Sequence, residues 1–225
     1  MSPLPRAVVF DLDGTLIDSV PDVTAALNHM LSTFGRPPLL VEQVKEMVGW
    51  GARVMIDKAL AAVGVDDVDP QRALAVYRAR YLKHPADCTL LYPAVWEMLE
   101  TLKADGFRLG ICTNKPHDIS MVVLEALGLL AFFDGVSGGG DAPFHKPDGR
   151  HITHTLARMG IPGARSVMVG DSETDASAAS DAKVPFVLVD WGYRHDGPMP
   201  EADAVIAHFD QLPGIMASLL PEFIR

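Results

Sequence analysis

Two rhythms of apolar residues divide the chain. Close to its start, Val8-Val9-Phe10 is a continuous β-branched and aromatic run that stops at Asp11, which predicts a buried strand. The next stretch has the helical period. Val23, Ala26, Leu27, Met30, Leu31 and Phe34 recur every three or four residues, opened by Ser19 or Asp22 and closed by Gly35. Arg36-Pro37-Pro38 breaks that helix. Further helical patterns follow at Val41, Val44, Met47 and Val48, then from Val54 to Val63, then at Leu74, Tyr77 and Tyr81. No strand is expected between Leu16 and Leu91. Beyond Pro93 short apolar runs and helical patterns alternate. A helix carries Val95, Met98, Leu99 and Leu102 and ends at Gly106; Phe107 to Cys112 reads as a strand, and His117 to Leu127 as a helix ended by Gly128. Gly135-Val136-Ser137 is a short strand, and a helix runs from about Gly149 to Met159. Ser166 to Val169 is a strand, Glu173 to Ala182 a helix, Pro185 to Val189 a strand, and Ala204 to Ile206 a last strand before a terminal helix.

Strands alternating with helices of this length build βαβ units around a mostly parallel sheet. The exception lies between the first two strands, where a crossover normally needs one helix. Here a long, wholly helical stretch intervenes, so residues 18–90 read as a separate helical cap inserted into an α/β core made of residues 1–17 and 91–225. An insertion at that point emerges from the carboxyl end of the first strand, the side on which open α/β sheets bind ligands. It is therefore placed to act as a lid.

Composition narrows the partners. Of the 225 residues 48% are hydrophobic, enough for a sizeable core, and the formal net charge is −10. That sign argues against a nucleic-acid or anionic-membrane partner, both of which call for a basic face. The two cysteines, Cys88 and Cys112, read as free thiols of a reducing compartment. No stretch approaches the ~18 apolar residues of a membrane span, and no signal peptide is evident at the start, so a cytoplasmic location is expected.

Candidate chemistry collects just past the strands. The first delivers Asp11-Leu12-Asp13-Gly14-Thr15, two carboxylates spaced so that in extended chain both point to one face. Two such charges repel, and a cation, a proton or a substrate must separate them. The second strand delivers Thr113-Asn114-Lys115, the third a Gly-rich loop leading to Lys146-Pro147, and the fourth Gly170-Asp171 with Asp175 beyond. All of these fall at one edge of a parallel sheet. An oxygen-only set without Cys or His favours a hard cation such as Mg²⁺, and a lysine with a hydroxyl suits a phosphoryl group. One carboxylate can then attack phosphorus while the other moves protons.

Together these residues resemble the haloacid dehalogenase superfamily. Its D-x-D-G-T motif matches Asp11 to Thr15, its Thr or Ser after the second strand matches Thr113, its Lys-Pro matches Lys146-Pro147, and its G-D-x-x-x-D matches Asp171 and Asp175. Asp-Gly-Thr-Leu-Ile-Asp-Ser, Thr-Asn-Lys and Trp191-Gly192-Tyr193 are most similar to the phosphoglycolate phosphatases of that family. The resemblance implies a Rossmann-like parallel-sheet core with helices on both faces and an inserted helical cap. It also implies a Mg²⁺-dependent phosphatase of small phosphorylated metabolites, phosphoglycolate first. Asp11 would be the nucleophile and Asp13 the general acid/base. Asp11, the backbone carbonyl of Asp13 and Asp171 would hold Mg²⁺, supported by Asp175. Thr113, the Asn114 backbone N–H and Lys146 would hold the phosphoryl group, and Arg53 is where related caps send a polar residue toward the substrate. The chain departs from many relatives in carrying Asp148-Gly149-Arg150 after the Lys-Pro pair.

Other readings stay open on the same residues. A sugar phosphomutase or a haloacid dehalogenase would use much of the set, and a phosphate-binding or phosphorylation-sensing module would share the acidic pocket, Thr and Lys. Lys115 competes with Lys146 as the cation for phosphate and is expected at the surface. His145, His151 and His154 lack further ligands at tight spacing and are expected to face solvent. The methionines fall at core-like positions.

Overall fold

The computed structural model describes residues 4–64, 67–193 and 199–221. Six parallel strands form the central sheet: β1 Arg6–Phe10, β4 Arg108–Pro116, β5 Gly135–Gly139, β6 Arg165–Gly170, β7 Phe186–Val189 and β8 Ala204–Ile206. Their order across the sheet is β5-β4-β1-β6-β7-β8. β1 is central, paired with β4 through Phe10 opposite Ile111 and with β6 through Phe10 opposite Val169. Its Val-Val-Phe run is apolar throughout because both faces of the sheet are covered. Val8 and Phe10 point into the core shared with α5 (Val95–Ala104), α6 (His117–Ala126) and α9 (Leu212–Leu219). Ala7 and Val9 point the other way, against α7 (Arg150–Arg158) and α8 (Glu173–Ala182). Period-two alternation along one strand thus feeds two cores.

Strands and helices of the core lie where the sequence pattern puts them, with one consequential difference. β4 runs four residues past Cys112, the expected end of that strand, because Thr113, Asn114 and Lys115 are also buried in extended conformation.

Between β1 and α5 the chain forms four helices: α1 Val20–Thr33, α2 Val41–Lys45, α3 Ala52–Ala62 and α4 Pro70–Lys83. α1 buries Val23, Ala26, Leu27, Met30 and Leu31, the stripe expected from its spacing, and packs against α2 and α4. The expectation that no strand lies in this region needs correction. Ile17–Asp18 (β2) and Leu90–Leu91 (β3) pair antiparallel where the chain enters and leaves the helices. Two residues are too few to show a period, so the pattern could not reveal them.

The carboxylate of Asp22 closes this junction. It accepts the backbone N–H of Cys88 at 3.0 Å, the N–H of Thr89 at 2.8 Å and the Thr89 hydroxyl at 2.7 Å, with both Asp22 and Thr89 buried. Replacing Asp22 by Ala orphans those donors, and buried unsatisfied donors are costly. Asp22→Ala is expected to lower unfolding stability by about 2–4 kcal/mol, and Asp22→Asn, which keeps an acceptor, by roughly half that. Urea unfolding checks this; a loss below ~0.5 kcal/mol for Asp22→Ala would contradict the assignment.

Candidate active site

At the carboxyl edge of the sheet the strand ends converge. The β1–β6 ladder continues one residue past β1, with Asp11 N–H donating to the Val169 carbonyl at 2.9 Å, which fixes where the Asp11 side chain emerges. The chain then turns sharply: the Leu12 carbonyl accepts from the N–H groups of Leu16 and Ile17, and Gly14 adopts φ +83°. That turn brings the Thr15 hydroxyl 3.1 Å from Asp171 Oδ1. A Cβ on Gly14 would stand 2.5 Å from Asp171 Oδ2, and one on Gly192 would collide with the same side chain. Backbone without side chains is what lets two segments close around this carboxylate. Tyr193 N–H donates to Asp171 Oδ2 at 2.7 Å, and its phenol accepts from Ser19 N–H at 2.7 Å.

Asp175 sits in the first turn of α8, where Ser172 is the N-cap and the two form a capping box. Its Oδ2 accepts from Ser172 N–H and Oγ, and its Oδ1 faces Lys146 Nζ at 2.6 Å. Lys146 Nζ also lies 2.8 Å from Asp11 Oδ1. Asp11, Asp171 and Asp175 are all buried, and each offers an oxygen within 4.8 Å of the others. Burial, then the nearby Asp175 charge, pushes Asp11 up to about 6 against the opposing pull of Lys146. Burial followed by repulsion from Asp175 and Asp11 lifts Asp171 well above the usual carboxylate range. For Lys146 burial acts to lower the pKa, yet Asp11 and Asp175 overrule it and the ammonium is held more firmly protonated than usual. Two of the three carboxylates, Asp11 and Asp175, share Lys146, and the cluster keeps two negative charges uncompensated when all three are ionised. An all-oxygen, doubly negative cluster fits a hard divalent cation.

Asp13 leads a separate life. Its carboxylate accepts from Ser19 Oγ at 2.5 Å and from Lys115 Nζ at 2.9 and 3.1 Å, and Lys115 donates in turn to the Tyr81 hydroxyl at 2.8 Å. Lys115, expected at the surface, is therefore buried: its side chain is 3% exposed. Once the strand extends beyond Cys112, Thr113 and Lys115 share a face by the same two-residue spacing that pairs Asp11 with Asp13. Ser19 spends its hydroxyl on Asp13, so α1 starts without a side-chain cap.

Asn114 contributes a side-chain role that the sequence did not suggest. Its Oδ1 accepts the Lys146 N–H at 3.0 Å, while its Nδ2 donates to the Lys146 carbonyl at 2.9 Å and the Gly49 carbonyl at 3.0 Å. One amide thus clamps the lysine's backbone and reaches the loop between α2 and α3. The unusual Asp148-Gly149-Arg150 segment is accommodated beside α8, with Gly149 N–H donating to Asp181 at 2.7 Å.

Asp11, Asp13, Thr113 and Asn114 line one pocket, together with Gly51, Ala52 and Met55 from the helical insertion. The structure does not bring Arg53 there. Its guanidinium is about half exposed and pairs with Asp57 one turn along α3. The histidine expectation holds for His145, which is exposed, and His154 is partly buried beside Asp141. It fails for His151, which is buried 3.1 Å from Ser137 Oγ, and burial pushes it down to about 3, so the ring stays neutral.

Three comparisons bear on this arrangement. The family model for haloacid dehalogenase-like hydrolases matches residues 8–189. The phosphoglycolate phosphatase of Caulobacter vibrioides is 41% identical over 95% of this chain and 91% of its own length. That of Mesorhizobium japonicum is 40% identical over 95% of each chain. Among solved structures, a predicted phosphoglycolate phosphatase from Haemophilus somnus superposes with a TM-score of 0.88 at 28% identity, covering 94% of this chain and 98% of the other. CbbY from Rhodobacter sphaeroides, solved with phosphate, shares the fold with a TM-score of 0.80 at 21% identity, covering 93% and 96%.

The acidic cluster has a measurable consequence. Asp11 has a higher pKa folded than unfolded, so its contribution to stability is full below the unfolded value near 3.8 and is lost as pH rises through about 6. With metal chelated, Asp11→Asn is expected to be more stable than the parent at pH 7.5 by an amount on the order of 1–2 kcal/mol, and this advantage should shrink toward pH 4.5. Thermal unfolding in EDTA across that range reads it; an advantage that grows on acidification would refute the charge assignment.

Proposed function

The chain belongs to the haloacid dehalogenase-like hydrolases, and from that premise we propose that it is a Mg²⁺-dependent phosphatase of small phosphorylated metabolites, with phosphoglycolate the first substrate. The observation that carries the reading is the division of labour between the two aspartates. Asp11 and Asp13 face one pocket, but Asp11 is tied to Lys146 and the acidic cluster, whereas Asp13 is tied to Ser19 and Lys115. Neighbours that different suit a nucleophile and a proton carrier.

In this mechanism an Asp11 carboxylate oxygen attacks phosphorus and the bond to the ester oxygen breaks. Asp13 delivers a proton to that leaving oxygen as the alcohol departs, giving an aspartyl-phosphate on Asp11. Asp13 then takes a proton from a water molecule, which attacks phosphorus and releases inorganic phosphate, restoring both residues. Thr113, the Asn114 backbone N–H and Lys146 hold the phosphoryl oxygens. Asp11, Asp171 and the Asp13 carbonyl would hold Mg²⁺, with Asp175 supporting; the ion supplies positive charge to offset that of the phosphoryl group and the carboxylates. Lys146 keeps its charge through the whole cycle, and the Asn114 clamp keeps it in register. The helical insertion, residues 18–90, acts as the cap that limits substrate size and excludes bulk water while the first step proceeds.

Two measurements test this. Purified protein should release phosphate from phosphoglycolate with Mg²⁺ present and not with EDTA, and Asp11→Asn should reduce turnover by more than roughly 1,000-fold while still folding. Near-normal turnover by that variant would overturn the nucleophile assignment. Separately, Mg²⁺ at about 100 times its dissociation constant should raise the unfolding midpoint by roughly 5–10 °C, and Asp171→Asn should abolish the shift. An unchanged shift in that variant would place the ion elsewhere.

A further inference from the structure

Apart from Lys146, which the mechanism gives to the phosphoryl group, Lys115 is the one cation among the described residues that line the pocket. The wall supplied by the helical insertion carries no charged side chain, with Val48, Ala52, Met55 and Tyr77 lining it, and the pocket encloses about 400 Å³ including its open mouth. A substrate whose leaving part carried a second negative charge would bury that charge without a counter-charge unless it reached Lys115. The ammonium is fixed from two sides, by Tyr81 of α4 at 2.8 Å and by both oxygens of Asp13 at 2.9 and 3.1 Å. These contacts engage all three of its N–H donors. When Asp13 turns one oxygen to the substrate's ester oxygen, it gives up one of its two contacts, and a lysine donor is freed beside the leaving group.

The freed donor sets a distance. An acceptor on Lys115 must lie close to the ester oxygen that Asp13 serves. In an ester of the form –O–CH₂–COO⁻, a carboxylate oxygen stands roughly 3 Å from the ester oxygen, three covalent bonds away. We infer that Lys115 is the specificity residue of this site: it receives a carboxylate attached directly to the ester carbon, and so selects phosphorylated 2-hydroxy acids over plain alkyl phosphates. The inference rests on the phosphatase reading above and adds to it the residue that recognises the leaving part. Tyr81 is a positioning residue in this scheme, holding Lys115 from the helical insertion so that the receptor is complete only with α4 in place.

Steady-state kinetics on three substrates test it: phosphoglycolate, ethyl phosphate, which lacks the carboxylate, and 3-phosphooxypropionate, which carries it one methylene further away. The wild-type kcat/KM for phosphoglycolate is expected to exceed that for each of the others by about 30-fold or more, the scale of one charge-assisted hydrogen bond. Lys115→Met should bring the phosphoglycolate-to-ethyl phosphate ratio close to one, largely through KM, and Lys115→Arg should restore part of it. A fall by the same factor on every substrate would mean that Lys115 only holds Asp13, and would overturn the inference. So would a wild-type ratio near one, whether or not the variants fold. Failure of the wild type to release phosphate from any of the three with Mg²⁺ would instead overturn the phosphatase reading, and this inference with it.

Discussion

The ammonium of Lys146, 1% exposed, stands between Asp11 and Asp175, and the site is built around that buried contact. Each of the three charges would be costly to bury alone; together, with Asp171 beside them, they become tolerable only in one arrangement. The arrangement draws on three separate segments: the end of β1, the loop after β5, and the continuous stretch from the end of β6 into the first turn of α8. Removing the lysine would leave the carboxylates stranded in a closed interior, a loss of about 3–5 kcal/mol. The lysine reaches its place because its backbone is held on both sides by the Asn114 amide, so the end of β4 is drawn into the same constraint.

Spacing alone would make Asp11 and Asp13 equivalent, two residues apart on one side of an extended chain. The fold breaks that equivalence. Asp11 is still on the β ladder and shares the buried cluster, while Asp13 lies beyond it, in a turn, and meets the residue just before α1 and Lys115 near the end of β4. Two identical side chains acquire different charge environments from their position along one short turn, which is the circumstance in which a pair of carboxylates divides acid–base and nucleophilic work.

Much of this was legible in the sequence because a parallel sheet gathers its strand ends at one edge. The β-branched run before Asp11, and the short apolar runs before Thr113 and Asp171, located that edge without any knowledge of tertiary contacts. What stayed hidden depends on contacts between distant segments. Lys115 looked solvated because a lysine near a strand end usually is, and only the continuation of β4 with Tyr81 and Asp13 beside it makes its burial affordable. His151 lay on a helix face that the pattern treated as outer, yet that face meets β5. Arg53 turned to its own helix neighbour Asp57, a pairing as local as the one expected of it was remote. The Asn114 amide carries no sequence signal, since its partners are backbone atoms of Lys146 and Gly49.

The short β2–β3 ribbon has a consequence for how such a chain can change over time. Because Ile17–Asp18 and Leu90–Leu91 lie side by side, the helical insertion begins and ends at nearly the same point in space. The central sheet sees only a paired doorway, whatever stands behind it. A segment attached in that manner can be lengthened, shortened or exchanged for another without re-routing a single strand of the core. The sheet edge that carries the acidic cluster can stay as it is while the helices facing it are replaced, so that one set of strand ends can be inherited beneath pockets of different shape.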